Sequence, residues 1–178
     1  MKKFIILLLA IISIIYIYNN SVSSESIIPD EAIRFRVIAN SNTIYDQNIK
    51  LQVRNTVQNE IFKLIKDSKS VNETRTIIKE HEHELYEITS NKLKELNYDK
   101  EFTIHYGYNY FPKKEYKGVT YKEGNYESLV ITLGSGSGDN FWCVLFPPLC
   151  LLEVDDNNTK DIEYKFFVKE LIDKYLKK

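Results

Sequence analysis

The chain is poor in several features that would mark a specialised class of protein. Its 178 residues include six glycines, four prolines, two cysteines and one tryptophan, and the formal net charge is only −1. A chain with no basic surplus gives no reason to expect binding to nucleic acid or to an anionic membrane surface. The sequence also has no internal repeat, and its length is sufficient for one domain with a sizeable core.

The scarce residues are concentrated in one segment, 141–150, which holds the tryptophan, both cysteines and two of the four prolines. A segment this apolar normally predicts a buried strand, but Pro147 and Pro148 cannot donate hydrogen bonds to a sheet. The strand is therefore expected to end near Phe146. Cys143 and Cys150 can close a small ring around the diproline, or they can stay reduced and buried as small hydrophobic residues.

The N-terminus has the pattern of a secretion signal. Two lysines precede an apolar run from Phe4 to Tyr18. This run is shorter than the ~20 residues of a membrane-spanning helix, and small residues at 21–23 offer a cleavage site, so a cleaved signal is favoured over a retained anchor. We expect a signal peptide or N-terminal anchor at 1–23, a linker at 24–30 and a single domain at 31–178.

Hydrophobic periodicity predicts an α+β fold. Alternation at Ile33, Phe35 and Val37 indicates a first strand. Apolar residues at helical spacing predict helices over 46–66 and, after a capping box at Ser70 and Glu73, up to about residue 96. Later patterns predict strands at 101–108, 126–133 and 141–146 and an amphipathic helix at 162–175. The expected order is β-α-α-β-β-β-α, with a mainly antiparallel sheet packed against two N-terminal helices and one C-terminal helix.

Two motifs resemble metal or phosphate sites, and their spacing argues against both. His81 and His83 are two residues apart and point to different sides of a helix, unlike the ligands of a His-Glu-x-x-His zinc site. The glycine-rich segment 134–138 lacks Gly-Lys-Ser/Thr and precedes a predicted strand, so no helix N-terminus lies behind an anion. We expect no metal and no cofactor, and we interpret 134–138 as a flexible connection between strands.

Cys143 and His105 are the candidates for a thiol nucleophile and its base, as in an exported hydrolase. The case is weak because the apolar neighbours of Cys143 disfavour the thiolate. A thiol-dependent hydrolase therefore stands as the alternative function. Export instead makes a Cys143–Cys150 disulfide plausible, and the chain-entropy model gives it about 2 to 3 kcal/mol.

A set of distinctive segments is spread over the chain, and the segment 138–150 is long and unusual enough to be highly specific. These segments are 36–41, 46–47 with Lys50 and 53–54, 118–121, 124–129, 133–134 and 138–150. Together they resemble the stage II sporulation protein R family, and the resemblance covers about residues 29–153.

The resemblance implies an exported signalling protein that is made in the forespore of an endospore-forming bacterium. It would enter the space between the forespore and mother-cell membranes and trigger a membrane-embedded aspartic protease of the mother cell. That protease removes the pro-sequence of a sporulation sigma factor. On this view the protein is a ligand and not an enzyme. It has no nucleic-acid partner, and it meets a membrane only through an uncleaved N-terminal segment.

Aromatic side chains on a rigid turn lose little entropy on binding and often dominate an interface. The alternative is that the aromatic residues fill the core, and for Trp142 the sequence favours neither role. The candidate partner-binding residues are Phe141, Trp142, Phe146, Pro147, Pro148 and Leu149.

Overall fold

A computed structural model of the protein contains a four-stranded sheet with three helices against one of its faces. It describes residue 11, residues 31–116 and residues 119–150, and only the backbone of residues 115, 116, 119 and 120. The predicted linker, the C-terminal helix and all of the predicted signal segment except residue 11 lie outside the described residues. The elements are β1 (Ile33–Ile38), α1 (Ile44–Ile65), α2 (Val71–Glu80), α3 (Glu82–Glu95), β2 (Phe102–Phe111), β3 (Lys114–Tyr116), β4 (Val119–Tyr121), β5 (Gly124–Leu133) and β6 (Asn140–Phe146).

The main sheet has the strand order β2-β5-β1-β6, and β3 and β4 form a separate two-stranded hairpin. β1 runs parallel to β5, whereas the β1–β6 and β2–β5 pairs are antiparallel. The predicted α+β class and the mainly antiparallel sheet are therefore confirmed. One row of paired residues across the sheet faces the helices and the next row faces away, because side chains alternate along each strand. These rows are Tyr106, Leu129, Phe35 and Cys143, and then His105, Val130, Arg36 and Trp142.

The helix α1 supplies most of the apolar layer on the helical side. It starts at Thr43, whose side-chain oxygen accepts a hydrogen bond of 3.2 Å from the backbone N–H of Asp46. Its buried residues recur every three or four positions, so one stripe packs on the sheet. This stripe consists of Ile49, Val53, Val57, Ile61 and Ile65. Within the described ranges, no helix combines the length and apolar character that crossing a membrane requires.

The predicted second helix is present but is divided at His81. Ser70 caps α2 as predicted, accepting a hydrogen bond of 3.2 Å from the N–H of Glu73. At His81 the backbone leaves helical geometry, with φ −105° and ψ 12°. Its ring Nδ1 lies 2.8 Å from the carbonyl oxygen of Ile77, and a side chain that engages a backbone carbonyl competes with regular helix geometry. His81 is half-buried and His83 is exposed, in agreement with their predicted sides.

Candidate functional site

The cysteine-flanked segment forms the end of β6 and the turn after it. β6 ends at Phe146, as the diproline predicts. A disulfide joins Cys143 to Cys150, whose Cα atoms are 5.5 Å apart. The side-chain amide of Gln58 on α1 donates a hydrogen bond of 3.3 Å to the carbonyl oxygen of Cys150. The turn is thus attached both to β6 and to the helical layer.

Three of the candidate partner-binding residues are buried in this turn. Phe146 and Leu149 are 2% and 4% exposed, and Pro147 is also buried. Pro148 is half-buried and lines an apolar recess of about 170 Å³ between the turn and the end of α1. The buried members hold the turn in place, so a partner would reach the segment through Pro148 or through the start of β6.

Phe141 and Trp142 begin β6 and face opposite sides of the sheet. Phe141 lies on the helical side, edge-on to Phe35 with ring centroids 6.1 Å apart. Trp142 lies on the other side, perpendicular to Phe111 with centroids 4.9 Å apart. Both are half-buried. Of the two, Trp142 is the aromatic residue on the face that the helices leave uncovered.

Trp142 is in contact with two cations. The guanidinium carbon of Arg36 is 5.0 Å from the centre of its ring, and the ammonium nitrogen of Lys114 is 4.9 Å from the same centre. Such cation–π contacts stabilise by about 0.5 to 2 kcal/mol, depending on how far the pair is removed from water. The two cations therefore fix the indole ring while leaving it half-accessible.

The same pattern continues across the face. Arg34 is buried, and its guanidinium carbon lies 3.3 Å from the ring centre of Tyr126 and 5.6 Å from that of Phe111. Arg36 is 5.5 Å from the ring centre of Phe111 and donates a hydrogen bond of 3.2 Å to the carbonyl oxygen of Tyr110. We call the whole set the cation–aromatic surface. It comprises Arg34, Arg36, Phe111, Lys114, Tyr126 and Trp142.

The charged groups of this surface are cations that contact aromatic rings. Burial lowers the pKa of Arg36, although a guanidinium keeps its charge at neutral pH. On the four described strands of the main sheet, none of the residues directed away from the helices is Asp or Glu. Arg34, Phe111 and Tyr126 are buried and support the surface from below, whereas Arg36, Lys114 and Trp142 are half-buried. These three residues place positive charge and aromatic area together, which suits a ligand that carries carboxylates.

The helical side contains an ion pair of a different kind. Arg75 on α2 donates two hydrogen bonds, of 2.6 and 2.7 Å, to the carboxylate of Glu127, and the hydroxyl of Tyr106 donates a third of 2.6 Å. Burial alone would raise the pKa of Glu127, but the hydrogen bonds from Arg75 and Tyr106 outweigh it and the pKa is lowered. Burial and the bond to Glu127 raise the pKa of Tyr106. The groups of this network form hydrogen bonds to one another within the protein.

The glycine-rich connection 134–139 passes over the end of β1, because it joins β5 to β6 and these strands flank β1. The side-chain oxygen of Asn40 accepts a hydrogen bond of 3.0 Å from the N–H of Ser135. The N–H of Gly138 donates to the carbonyl of Ala39 at 2.9 Å, and that of Asp139 to the side chain of Asn42 at 2.6 Å. The connection is therefore anchored along its length rather than loose.

Two glycines permit this close approach. Gly134 has φ +54°, and a Cβ there would collide with the side chain of Asn40, while a Cβ at Gly138 would collide with the carbonyl of Ser41. Beneath the connection, the buried carboxylate of Asp46 accepts hydrogen bonds from Ser41 and from Asn40, the latter 2.8 Å long. These bonds lower the pKa of Asp46. Segments that carry much of the family resemblance therefore contact one another at this connection. They are 36–41, 46–47 and 133–140.

The two residues of the alternative thiol hydrolase, Cys143 and His105, are not close to each other. His105 and Cys143 lie on the two edge strands of the sheet and face opposite sides of it. Three strand spacings separate them, or about 14 Å, and Cys143 is bonded to Cys150. In the part of the chain that the structure describes, no group of three or more His, Cys, Asp or Glu side chains could hold a metal ion.

Sequence reasoning singled out Trp142 but missed the cations around it. The signal was present for Arg36, and for Arg34 farther along the same face, because alternation with Phe35 places both arginines on the side of β1 that points away from the helices. Lys114 carried no such signal, since its position over Trp142 depends on the path of the chain between β2 and β3.

Comparison with known proteins supports the resemblance seen in the sequence. The family model described as "Stage II sporulation protein R (spore_II_R)" matches residues 29–156. A stage II sporulation protein R of Bacillus subtilis (strain 168) is 36% identical over 159 residues, which cover 89% of this chain and 71% of that protein. No solved structure matches the chain. The chain belongs to the stage II sporulation protein R family.

Proposed function

We propose that the protein is an exported signal of the forespore that triggers a membrane-embedded aspartic protease of the mother cell to process a pro-sigma factor. Membership of the family supports a role in sporulation. The export, the receptor and the space between the two membranes are the further parts of the proposal. They follow from the family resemblance together with the signal-like segment at 1–23.

The observation that carries the proposal is the position of Trp142. A half-buried tryptophan in contact with Arg36 and Lys114, on the face opposite the described helices, has the composition of a protein–protein hot spot, where tryptophan and arginine are enriched. The disulfide and the anchored connection 134–139 hold β6 at both ends. A preorganised site of this kind binds with a small entropy cost.

The proposal assigns the protein a binding role rather than a catalytic one. Its main alternative, a thiol hydrolase, would need a free Cys143 next to a base. The disulfide and the distance to His105 count against that chemistry.

Deletion of the gene tests the proposed function. Immunoblots taken through sporulation should show the pro-sigma factor accumulating in the deletion strain, and the full-length gene should restore processing. A gene that lacks codons for residues 2–23 should produce protein that does not restore it, because the product stays on the wrong side of the membrane. Normal processing in the deletion strain would refute the proposal.

A further inference from the structure

β6 is an edge of the main sheet in the part of the chain that the structure describes. It pairs with β1 on one side, and no described strand lies on the other. The outward backbone groups of an edge strand can pair with a further extended chain. The strand is also fixed in place, because it ends in the disulfide-closed turn and begins at the anchored connection 134–139.

Cations flank the start of β6 on both faces of the sheet. On the face opposite the described helices, Lys114 and Arg36 both contact the ring of Trp142. On the helical face, the guanidinium carbon of Arg54 lies 4.5 Å from the ring centre of Phe141. Lys50 donates a hydrogen bond of 3.1 Å to the carbonyl of Asp139, directly before the strand.

These charges are close enough to affect one another. Burial lowers the pKa of Lys50, the charge of Asp139 raises it, and the positive charges of Arg54 and Lys114 lower it by smaller amounts. Asp139 is an exposed carboxylate in this neighbourhood. The edge therefore carries a local excess of positive charge, in a chain whose total charge is close to zero.

The second half of β6 is buried, and residues 140–143 are half-buried. We propose that the outer edge of residues 140–143 binds an extended, acidic segment of a protein partner by strand addition. Successive side chains of an added strand point to opposite faces. Adjacent carboxylates would therefore reach Lys114 and Arg36 on one face and Arg54 on the other, while the backbone pairs with β6. Lys50 is buried and adds only its charge to this region. The inference rests on the proposed function only for the statement that the occupant belongs to another protein.

The chain has an acidic run of its own, and binding of this run at β6 has to be distinguished from binding of a partner. Glu153, Asp155 and Asp156 follow closely after Cys150. A segment tethered so near would compete at high effective concentration with any added peptide. Neutralising these three residues by Glu153→Gln, Asp155→Asn and Asp156→Asn distinguishes the two occupants.

The test uses the purified full chain, with its disulfide intact, and a dye-labelled peptide of repeating Glu-Glu-Thr-Val. This repeat places carboxylates on both faces of a strand. One control peptide has Gln for Glu, and a second has Pro for Val, which keeps the charge but removes backbone donors. Fluorescence anisotropy gives the affinity, the emission of Trp142, the sole tryptophan, reports local binding, and amide exchange reports pairing along β6.

The glutamate peptide should bind at least about tenfold more tightly than the glutamine peptide, and 1 M salt should remove most of the difference. Lys114→Glu should weaken binding about five- to tenfold, whereas the same change at Lys94, which is exposed at the end of α3, should have less than about a twofold effect. Exchange of β6 amides should slow on binding. Thermal melts of both variants establish that they are folded.

Three results would overturn the inference. Equal affinity for the glutamine peptide would remove the role of charge, and equal affinity for the proline peptide would remove strand addition. Binding that appears only after Glu153, Asp155 and Asp156 are neutralised would assign the edge to the chain itself. None of these measurements involves the protease, so a failure here is distinct from a failure of the deletion experiment.

Discussion

The two faces of the sheet use polar and aromatic groups in opposite ways. On the helical face, charge is paired inside the protein, where Arg75 and Tyr106 occupy the buried carboxylate of Glu127. On the face opposite the described helices, Arg36 and Lys114 contact the ring of Trp142. An ion pair whose groups bond only to each other stabilises the fold. Cations that contact aromatic rings can still donate hydrogen bonds to a ligand. The difference separates the part of the molecule that maintains structure from the part best suited to recognition.

The largest expected effect is the loss of an aromatic side chain from the helical face. Phe35 is fully buried in the core cluster, so Phe35→Ala should lower the free energy of unfolding by about 4 kcal/mol. Thr103→Ala, an exposed position on the other face, should change it by less than about 1 kcal/mol. Urea unfolding followed by circular dichroism measures both. Similar values for the two variants would break the contrast between the faces.

Removing the cation of the closed network should have the next largest effect. Arg75→Ala leaves the carboxylate of Glu127 buried without its cationic partner, with only the hydrogen bond from Tyr106, which should cost about 2 to 3 kcal/mol of unfolding free energy. The double variant Arg75→Ala, Glu127→Gln should regain part of this loss, because no buried charge then remains. The same urea titration tests it, and a double variant no more stable than Arg75→Ala would contradict the stated cause.

Reduction of the disulfide should weaken the fold without removing it. The Cys143–Cys150 bond closes a short loop, for which the chain-entropy model gives about 2 to 3 kcal/mol before any strain is subtracted. Unfolding in urea with and without reductant measures the difference. A variant with Ser at both positions should match the reduced protein and should not respond to reductant. A response in that variant would show that reductant acts elsewhere.

Acid should remove a smaller part of the stability of the helical face. The pKa of Glu127 is below its ordinary value of 4.5, and that of Asp46 is below 3.8. A carboxyl with a lowered pKa in the fold contributes stability that is present above its unfolded-state pKa and is lost as the pH falls through the folded-state value. Stability should therefore decline below about pH 4.5. Glu127→Gln should decline less steeply, and an unchanged slope would exclude Glu127 as a source.

Much of the helical face could be predicted from the sequence, because short-range periodicity determines which side of an element is buried. The alternation at Phe35, the helical stripe of α1 and the cap at Ser70 all appear in the structure as predicted. The break at His81 could not be predicted, since it involves a bond between one side chain and one carbonyl. The spacing of apolar residues carries no information about such a bond.

Less of the candidate site could be predicted, because it depends on contacts between distant segments. The prediction that β6 ends at the diproline is confirmed, yet sequence alone did not divide the aromatic residues between core and surface. The strand order places Trp142 beside Arg36, which lies 106 positions earlier in the chain. The interpretation of 134–138 as a flexible connection likewise omitted Asn40, whose hydrogen bonds anchor it.

The measurement that tests the central claim most directly is sigma-factor processing in cells that produce the Trp142→Ala protein in place of the wild type. Trp142 is half-buried at an edge strand and contacts Phe111, Arg36 and Lys114, so the variant should lose about 2 to 3 kcal/mol of unfolding free energy and remain folded. Immunoblots should show normal amounts of the variant protein and an unprocessed pro-sigma factor, whereas Thr103→Ala should allow normal processing. Normal processing with Trp142→Ala would contradict the assignment of the cation–aromatic surface as the recognition site.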